Sequence, residues 1–177
     1  MTVTDKPLFG GKVSLRPAGA SDAARFQEIL GHPEVARWWG DAEEGVAEQV
    51  AYLLDADEDT TCFAIEADDG IAGIILAFEE DDPQYRHAGI DIAVHPDFQG
   101  RGIGADAIHT LAAFLLEQRG HHRLVIDPAA SNEAAIRVYK RLGFKPVGVM
   151  RRYERGPDGT WHDGLLLDLL AGELVSP

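Results

Sequence analysis

The 177-residue chain contains a single cysteine, Cys62. It can form no internal disulfide, and the cytoplasm is the expected compartment. It has no apolar run of about twenty residues, so no membrane span is expected. Residues Met1 to Lys12 lack the apolar core of a secretion signal. The seven histidines show no metal-ligand spacing, and no metal site is expected. His121 and His122 follow Gly120 directly and read as a solvated loop. Basic residues are also scarce: 16 stand against 30 acidic ones, a net charge of −14. An acidic surface repels phosphate backbones, so nucleic acid is not an expected partner.

The acidity is uneven. Residues 41–91 hold 16 acidic side chains and one basic one, Arg86, for a charge of −15; the remainder holds 14 acidic and 15 basic, or +1. Two explanations stand side by side. Exposed carboxylates keep a protein dispersed, and they attract cationic substrates. The length suits one domain over residues 1–177 with a real hydrophobic core. There is no internal repeat, low-complexity stretch or linker.

Hydrophobic spacing then orders the elements. Lys12 to Arg16 alternates like a strand, with Val13 and Leu15 inward. Ser21 is the expected cap of a helix carrying Phe26, Ile29 and Leu30, which Gly31 and Pro33 end. After His32 to Gly40, a second helix is expected over Glu43 to Leu54, closed by an acidic loop at Asp55 to Asp59. Thr61 to Glu66 and Ile71 to Phe78 read as a hairpin turning at Asp69-Gly70. Glu79 to Pro83 reads as an acidic turn, and Ala88 to Val94 as the next strand. A helix to Gln118 follows Gln99 to Gly104, with Ile103, Ala107, Leu111 and Leu115 on one face. Arg123 to Ile126 is a short strand. Ser131 or Asn132 caps a helix ending at Gly143. Strands Phe144 to Arg152 and Leu165 to Leu170 complete the pattern. The fold class is α/β (α+β): a mixed sheet of about seven strands flanked by about four helices.

Two stretches carry chemistry. Gln99-Gly100-Arg101-Gly102-Ile103-Gly104 lies between a strand and a helix. A helix N-terminus offers unpaired amides and a positive dipole end, and glycines let an anion approach the backbone. No Gly-Lys-Ser/Thr follows, so this is not a Walker loop, and the spacing is not the dinucleotide fingerprint. Further on, Asn132 to Phe144 places Ala135, Tyr139 and Leu142 on one helical face. Tyr139 by itself reads equally as a core phenol.

Taken together, Gln99-x-x-Gly102-x-Gly104 and Asn132…Tyr139…Gly143-Phe144 resemble the GCN5-related N-acetyltransferases, the GNAT superfamily. The resemblance spans nearly the whole chain and implies acetyl-CoA as cofactor. It implies that Ile92, Ala93 and Val94 run along the pantetheine arm, and that the amides of Gln99, Gly100, Arg101, Gly102, Ile103 and Gly104 hold the pyrophosphate. Asn132 matches the position that contacts pantetheine, and Tyr139 the position that protonates the departing thiolate. On the same resemblance, Arg101, Arg137, Lys140 and Arg141 are cations that could reach the phosphates. The acyl transfer also needs a donor for the oxyanion, most simply the Val94 amide.

Asp91 stands in the middle of the strand Gly89-Ile90-Asp91-Ile92-Ala93-Val94. Period two puts Ile90, Ile92 and Val94 on one face and Asp91 and Ala93 on the other. A carboxylate there is costly unless it is paired or functional. The aminoglycoside 6′-N-acetyltransferases are similar at this point, which implies Asp91 as the catalytic base. The likeness extends to Asp127-Pro128, with Asp127 lining the amine site, and to Trp38-Trp39-Gly40 beside the acceptor. Other readings stand: a structural Asp91, a turn-forming Asp127 before proline, and core packing for Trp38 or Trp39. Cys62 lies in a β-rich run with no base assigned, so direct transfer is expected rather than a thiol-bound acyl group.

The resemblance thus implies acetyl transfer to a primary amine of a small polycation, most nearly an aminoglycoside 6′-amine. The segment Arg151 to Asp163 is as similar to ribosomal-protein and polyamine acetyltransferases, which leaves a protein N-terminus, a lysine or a polyamine as acceptor. A silent acyl-CoA-binding protein is a third reading, and a homodimer is left open.

Overall fold

The computed structural model describes residues 4–40, 44–55, 59–68 and 70–177. Among the described residues, eight strands form one sheet in the order β1-β2-β3-β4-β5-β6-β8-β7. They are β1 (Leu8–Phe9), β2 (Ser14–Pro17), β3 (Thr60–Ala67), β4 (Gly70–Glu80), β5 (His87–Val94), β6 (Arg123–Ile126), β7 (Lys145–Arg155) and β8 (Trp161–Leu170). The helices among the described residues are α1 (Ala23–Gly31), α2 (Pro33–Trp39), α3 (Val46–Leu54), α4 (Ile103–Ala113) and α5 (Glu133–Arg141). A π turn, Phe114–Gln118, extends α4.

Alternation along the central strands divides the core into two layers. Ile74 and Leu76 of β4 and Ala93 of β5 pack with Phe26, Ile29, Leu30, Val50 and Leu53 of α1 and α3. Ile75, Ala77 and Ile90 pack on the other face with Ile103, Ala107 and Leu111 of α4, Leu115 of its π turn and Tyr139 of α5. The period-two expectation for β5 therefore holds, with Ile90 and Ala93 buried on opposite faces.

All strand pairs are antiparallel except β5 with β6. That parallel contact covers only Ala88↔Leu124 and Gly89↔Val125. Beyond it β5 runs on to Val94, paired with β4 alone. The sheet is therefore split at its centre, and the second half of β5 has one unpaired edge.

Several sequence expectations change. The sheet gains β1, two residues paired with Leu15 and Ser14, and the His32 to Gly40 stretch contains a short helix, α2. Ser21 does not cap α1. Asp22 folds back instead to accept the Gly19 N–H (2.8 Å) and pairs with Arg16 (2.9 Å). Glu79 and Glu80 belong to β4, not to a turn. His121 is buried at 1 % exposure rather than solvated; its Nε2 lies 2.5 Å from Glu79 Oε2, and Arg119 Nε lies 3.1 Å from the same oxygen. Burial alone would raise the Glu79 carboxyl. The bonds from His121 and Arg119 more than offset that and hold it below its ordinary range. Glu43, Asp69 and the 56–58 part of the acidic loop lie outside the described residues.

Gly143 closes α5 with φ +104°, and a Cβ there would stand 2.2 Å from the Glu173 carbonyl oxygen. Both the positive φ and the backbone contact exclude a side chain. Gly143→Ala is expected to lower stability by roughly 1–3 kcal/mol. Urea unfolding checks this; an unchanged midpoint would show that the 173–175 segment yields freely.

Candidate active site

The free edge of β5 can be read from its hydrogen bonds. His95 donates its N–H to the Ala72 carbonyl (2.8 Å). Peptide groups alternate sides along a strand, so those of Asp91 and Ala93 also face β4. Ile92 and Val94 face the other way. Their carbonyls accept from Trp39 Nε1 (3.1 Å) and Gln99 Nε2 (2.9 Å). The Ile92 and Val94 N–H groups consequently point into the split between β5 and β6. This is where an extended amide chain could pair with the strand, and where a donor for an oxyanion would stand. Ala93 is turned away: its peptide groups face β4 and its side chain is buried under α1 and α3.

The glycine turn follows. Gly100 and Gly102 have φ of +72° and +78°, a backbone that other residues seldom adopt. Gly102 is the N-cap of α4, and Ile103 and Gly104 form its first turn. Gly104 lies against Val94, with its absent Cβ 3.6 Å from Cγ2. Arg101 stacks its guanidinium over Phe98, 5.4 Å from the ring centre. Bare backbone at a helix N-terminus fits a diphosphate.

Beside the split lies a cleft of about 1060 Å³, lined by Trp38, Trp39, Asp91, Ile92, Asp127, Asn132 and Tyr139. Apart from Ala93, which is turned away, and Val94, whose N–H faces the split, the residues chosen from the sequence divide into those of the cleft and those of the glycine turn. Burial, followed by the charges of Asp127 and Glu154, pushes the Asp91 carboxyl up to about 7. Burial, followed by the charges of Asp91 and Asp127, pushes the Tyr139 phenol up, so its proton is retained at neutral pH. The Tyr139 ring packs 6.3 Å from that of Phe144. Asn132 Oδ1 caps α5 by accepting the Ala135 N–H (3.3 Å), which leaves its NH₂ group for other contacts. Trp39 packs in the helical core while Arg37 stacks over Trp38 at 4.6 Å.

Two further wall residues were not singled out from the sequence. Tyr153 donates its hydroxyl to Asp127 Oδ2 (2.5 Å); that bond, then burial, pushes the phenol up to about 12. Glu154, on the same strand, is raised by burial and by Asp127. Both lie within the polar run Arg151 to Asp163, whose composition alone does not mark them. Acid reaches the cleft from both halves of the chain: Asp59, Glu80 and Asp91 from the acidic segment, Asp127 and Glu154 from outside it. Burial pushes the Cys62 thiol up to about 12, leaving it far from a thiolate.

A family model for the GNAT acetyltransferase domain matches residues 12–145. The chain belongs to the GNAT acetyltransferase family. As a GNAT enzyme it is an N-acetyltransferase whose acetyl donor is acetyl-CoA. It is 25 % identical over 139 residues to the spermidine N(1)-acetyltransferase of Escherichia coli K12, covering 77 % of this chain and 74 % of that one. It is 27 % identical over 164 residues to the aminoglycoside N(6′)-acetyltransferase type 1 of Klebsiella pneumoniae, covering 83 % and 79 %. Among solved structures, Mycobacterium smegmatis RimJ in complex with CoA-disulfide superposes with a TM-score of 0.82 at 25 % identity, covering 96 % of this chain and 88 % of that one. Among the described residues no helix of this GNAT protein is long and apolar enough to cross a membrane.

Proposed function

We propose that this single-domain GNAT enzyme transfers acetyl directly to a primary amine of a small polycation, with an aminoglycoside 6′-amine as the proposed acceptor. The observation that carries this is the acidic cleft: Asp91, Asp127 and Glu154 converge beside the split in the sheet. In this reading the amines of a polycation are drawn to Asp127 and Glu154, and one is held against Asp91. Asp91 takes the proton as the amine attacks the thioester. The Val94 N–H stabilises the oxyanion. Tyr139 gives its proton to the departing thiolate. The amides of Gln99 to Gly104 hold the diphosphate, and Ile92 and Asn132 flank the pantetheine. Trp38 and Trp39 flank the acceptor. Much of the acceleration comes from holding amine and thioester together. The buried Cys62 supports direct transfer over an acyl-thiol intermediate.

A second reading, polyamine acetylation, is favoured by the resemblance to the spermidine enzyme at similar identity. The test is thiol release from acetyl-CoA with a kanamycin-type aminoglycoside, spermidine and an N-terminal alanine peptide as separate acceptors. The aminoglycoside is expected to give the highest kcat/KM, with mass spectrometry locating the acetyl group on the 6′-nitrogen. Preference for spermidine selects the second reading. Turnover with the peptide alone would sink both.

A further inference from the structure

Lys12 lies in the turn between β1 and β2, far in sequence from the residues assigned to the cofactor. Its Nζ donates to the Arg101 carbonyl oxygen (2.9 Å). It also stands 2.7 Å from where a Cβ of Gly102 would be. The ammonium therefore lies directly against the glycine turn.

The position is built rather than incidental. Asp106, on the first turn of α4 and only 6 % exposed, accepts three successive backbone N–H groups. They come from Gly11 (3.1 Å), Lys12 (2.7 Å) and Val13 (3.1 Å). A Cβ on Gly10 would meet Thr110 Oγ1 at 2.3 Å and Asp106 Oδ2 at 2.5 Å, so the β1–β2 turn packs straight onto α4. Thr110 in turn donates its hydroxyl to the Asp106 carbonyl (2.7 Å). Among the described residues no carboxylate lies within ion-pair distance of Lys12 Nζ.

A trans peptide is planar, and its C=O and N–H point in opposite directions. Fixing the Arg101 carbonyl on Lys12 therefore turns the Gly102 N–H to the other side of the loop. Gly102, free of Cβ, gives this peptide unusual freedom to rotate about its own φ. A charge-assisted bond from outside the loop removes that freedom before any anion arrives.

We infer that Lys12, anchored by Asp106, is a positioning residue that orients the 101–102 peptide for the diphosphate of acetyl-CoA. The inference rests on the reading that the glycine turn holds that diphosphate. It concerns the donor only and is independent of the acceptor.

The test compares wild type, Lys12→Met, Lys12→Arg and Gly102→Val. Calorimetry gives Kd for CoA, and kcat/KM is measured with acetyl-CoA and with S-acetylpantetheine, which lacks the diphosphate. Lys12→Met is expected to raise Kd for CoA about 10-fold, as loss of one charge-assisted bond would. Lys12→Arg keeps the charge and should restore most of the affinity. S-Acetylpantetheine efficiency should not change in either variant. Unchanged CoA affinity in Lys12→Met overturns the inference. So does a parallel loss with S-acetylpantetheine, which marks general damage. Gly102→Val serves as the control on the underlying reading and should abolish CoA binding. If it binds CoA like wild type, the turn is not the diphosphate site, and that reading falls together with the inference.

Discussion

Replacing Asp91 with asparagine is expected to lower kcat by about 10²–10⁴-fold, the usual loss on removing a general base, while raising stability. Both effects follow from one position. Asp91 stands on β5 with its backbone tied to β4, among Asp127 and Glu154, and no cation among the described residues is bonded to it. Burial and those two charges push its carboxyl up to about 7, from an ordinary value of 3.8. A base poised there is half ionised at neutral pH and strong enough to take a proton from an attacking amine. Wild-type turnover should therefore rise with pH through an acid limb near 7 and level off above it, and Asp91→Asn should lose that limb.

The stability sign is the reverse of a salt-bridged aspartate. The folded pKa lies above the unfolded one, so between about 4 and 7 the folded state binds more protons than the unfolded. Stability falls as pH rises through that window, and the full cost is present above 7. Asparagine carries no such cost. The mouth of the cleft admits water and lessens the effect, so at pH 8 the variant should gain on the order of 1–2 kcal/mol. Urea unfolding at pH 5 and pH 8 checks this, with the gain smaller at pH 5 and fully developed at pH 8. A variant that keeps its turnover would remove Asp91 as base. A variant destabilised at pH 8 would show that the carboxylate has a structural partner.

What could be read from the sequence was whatever a single element encodes. The alternation of β5 put Asp91 and Ala93 on one face and Ile90, Ile92 and Val94 on the other, because period two is a property of the strand alone. The glycine turn and the Asn132–Gly143 helix were legible for the same reason. The features that were missed depend on partners far along the chain. Lys12 meets Arg101 across 89 positions, and Tyr153 meets Asp127 across 26. Glu79 opens an acidic run that looks like a solvated turn. It is buried because Arg119 and His121 arrive 40 and 42 residues later. The short elements β1 and α2 span only two and seven residues. Neither is long enough for a hydrophobic period to repeat, and packing rather than local preference sustains them.

Tyr139→Phe is the second large effect: kcat should fall by roughly 10²-fold, the low end for loss of a general acid, with CoA affinity and stability unchanged. Removing the hydroxyl leaves the ring in place. It remains packed in the α4–α5 core layer and against Phe144, and among the described residues the hydroxyl makes no hydrogen bond that phenylalanine would break. Tyr139 faces the same cleft as Asp91. Burial and the charges of Asp91 and Asp127 raise its pKa, so the phenol holds a proton throughout the working range and can act as acid but not as base. A thiolate leaving from CoA benefits from that proton, whereas an aryl thiolate of low pKa does not need it. The defect should therefore be large with acetyl-CoA and shrink toward unity with an acetyl aryl thioester as donor. Equal losses with both donors would mean that Tyr139 orients the thioester rather than protonating the thiolate. A variant with wild-type kcat on acetyl-CoA would assign the proton to water in the split between β5 and β6.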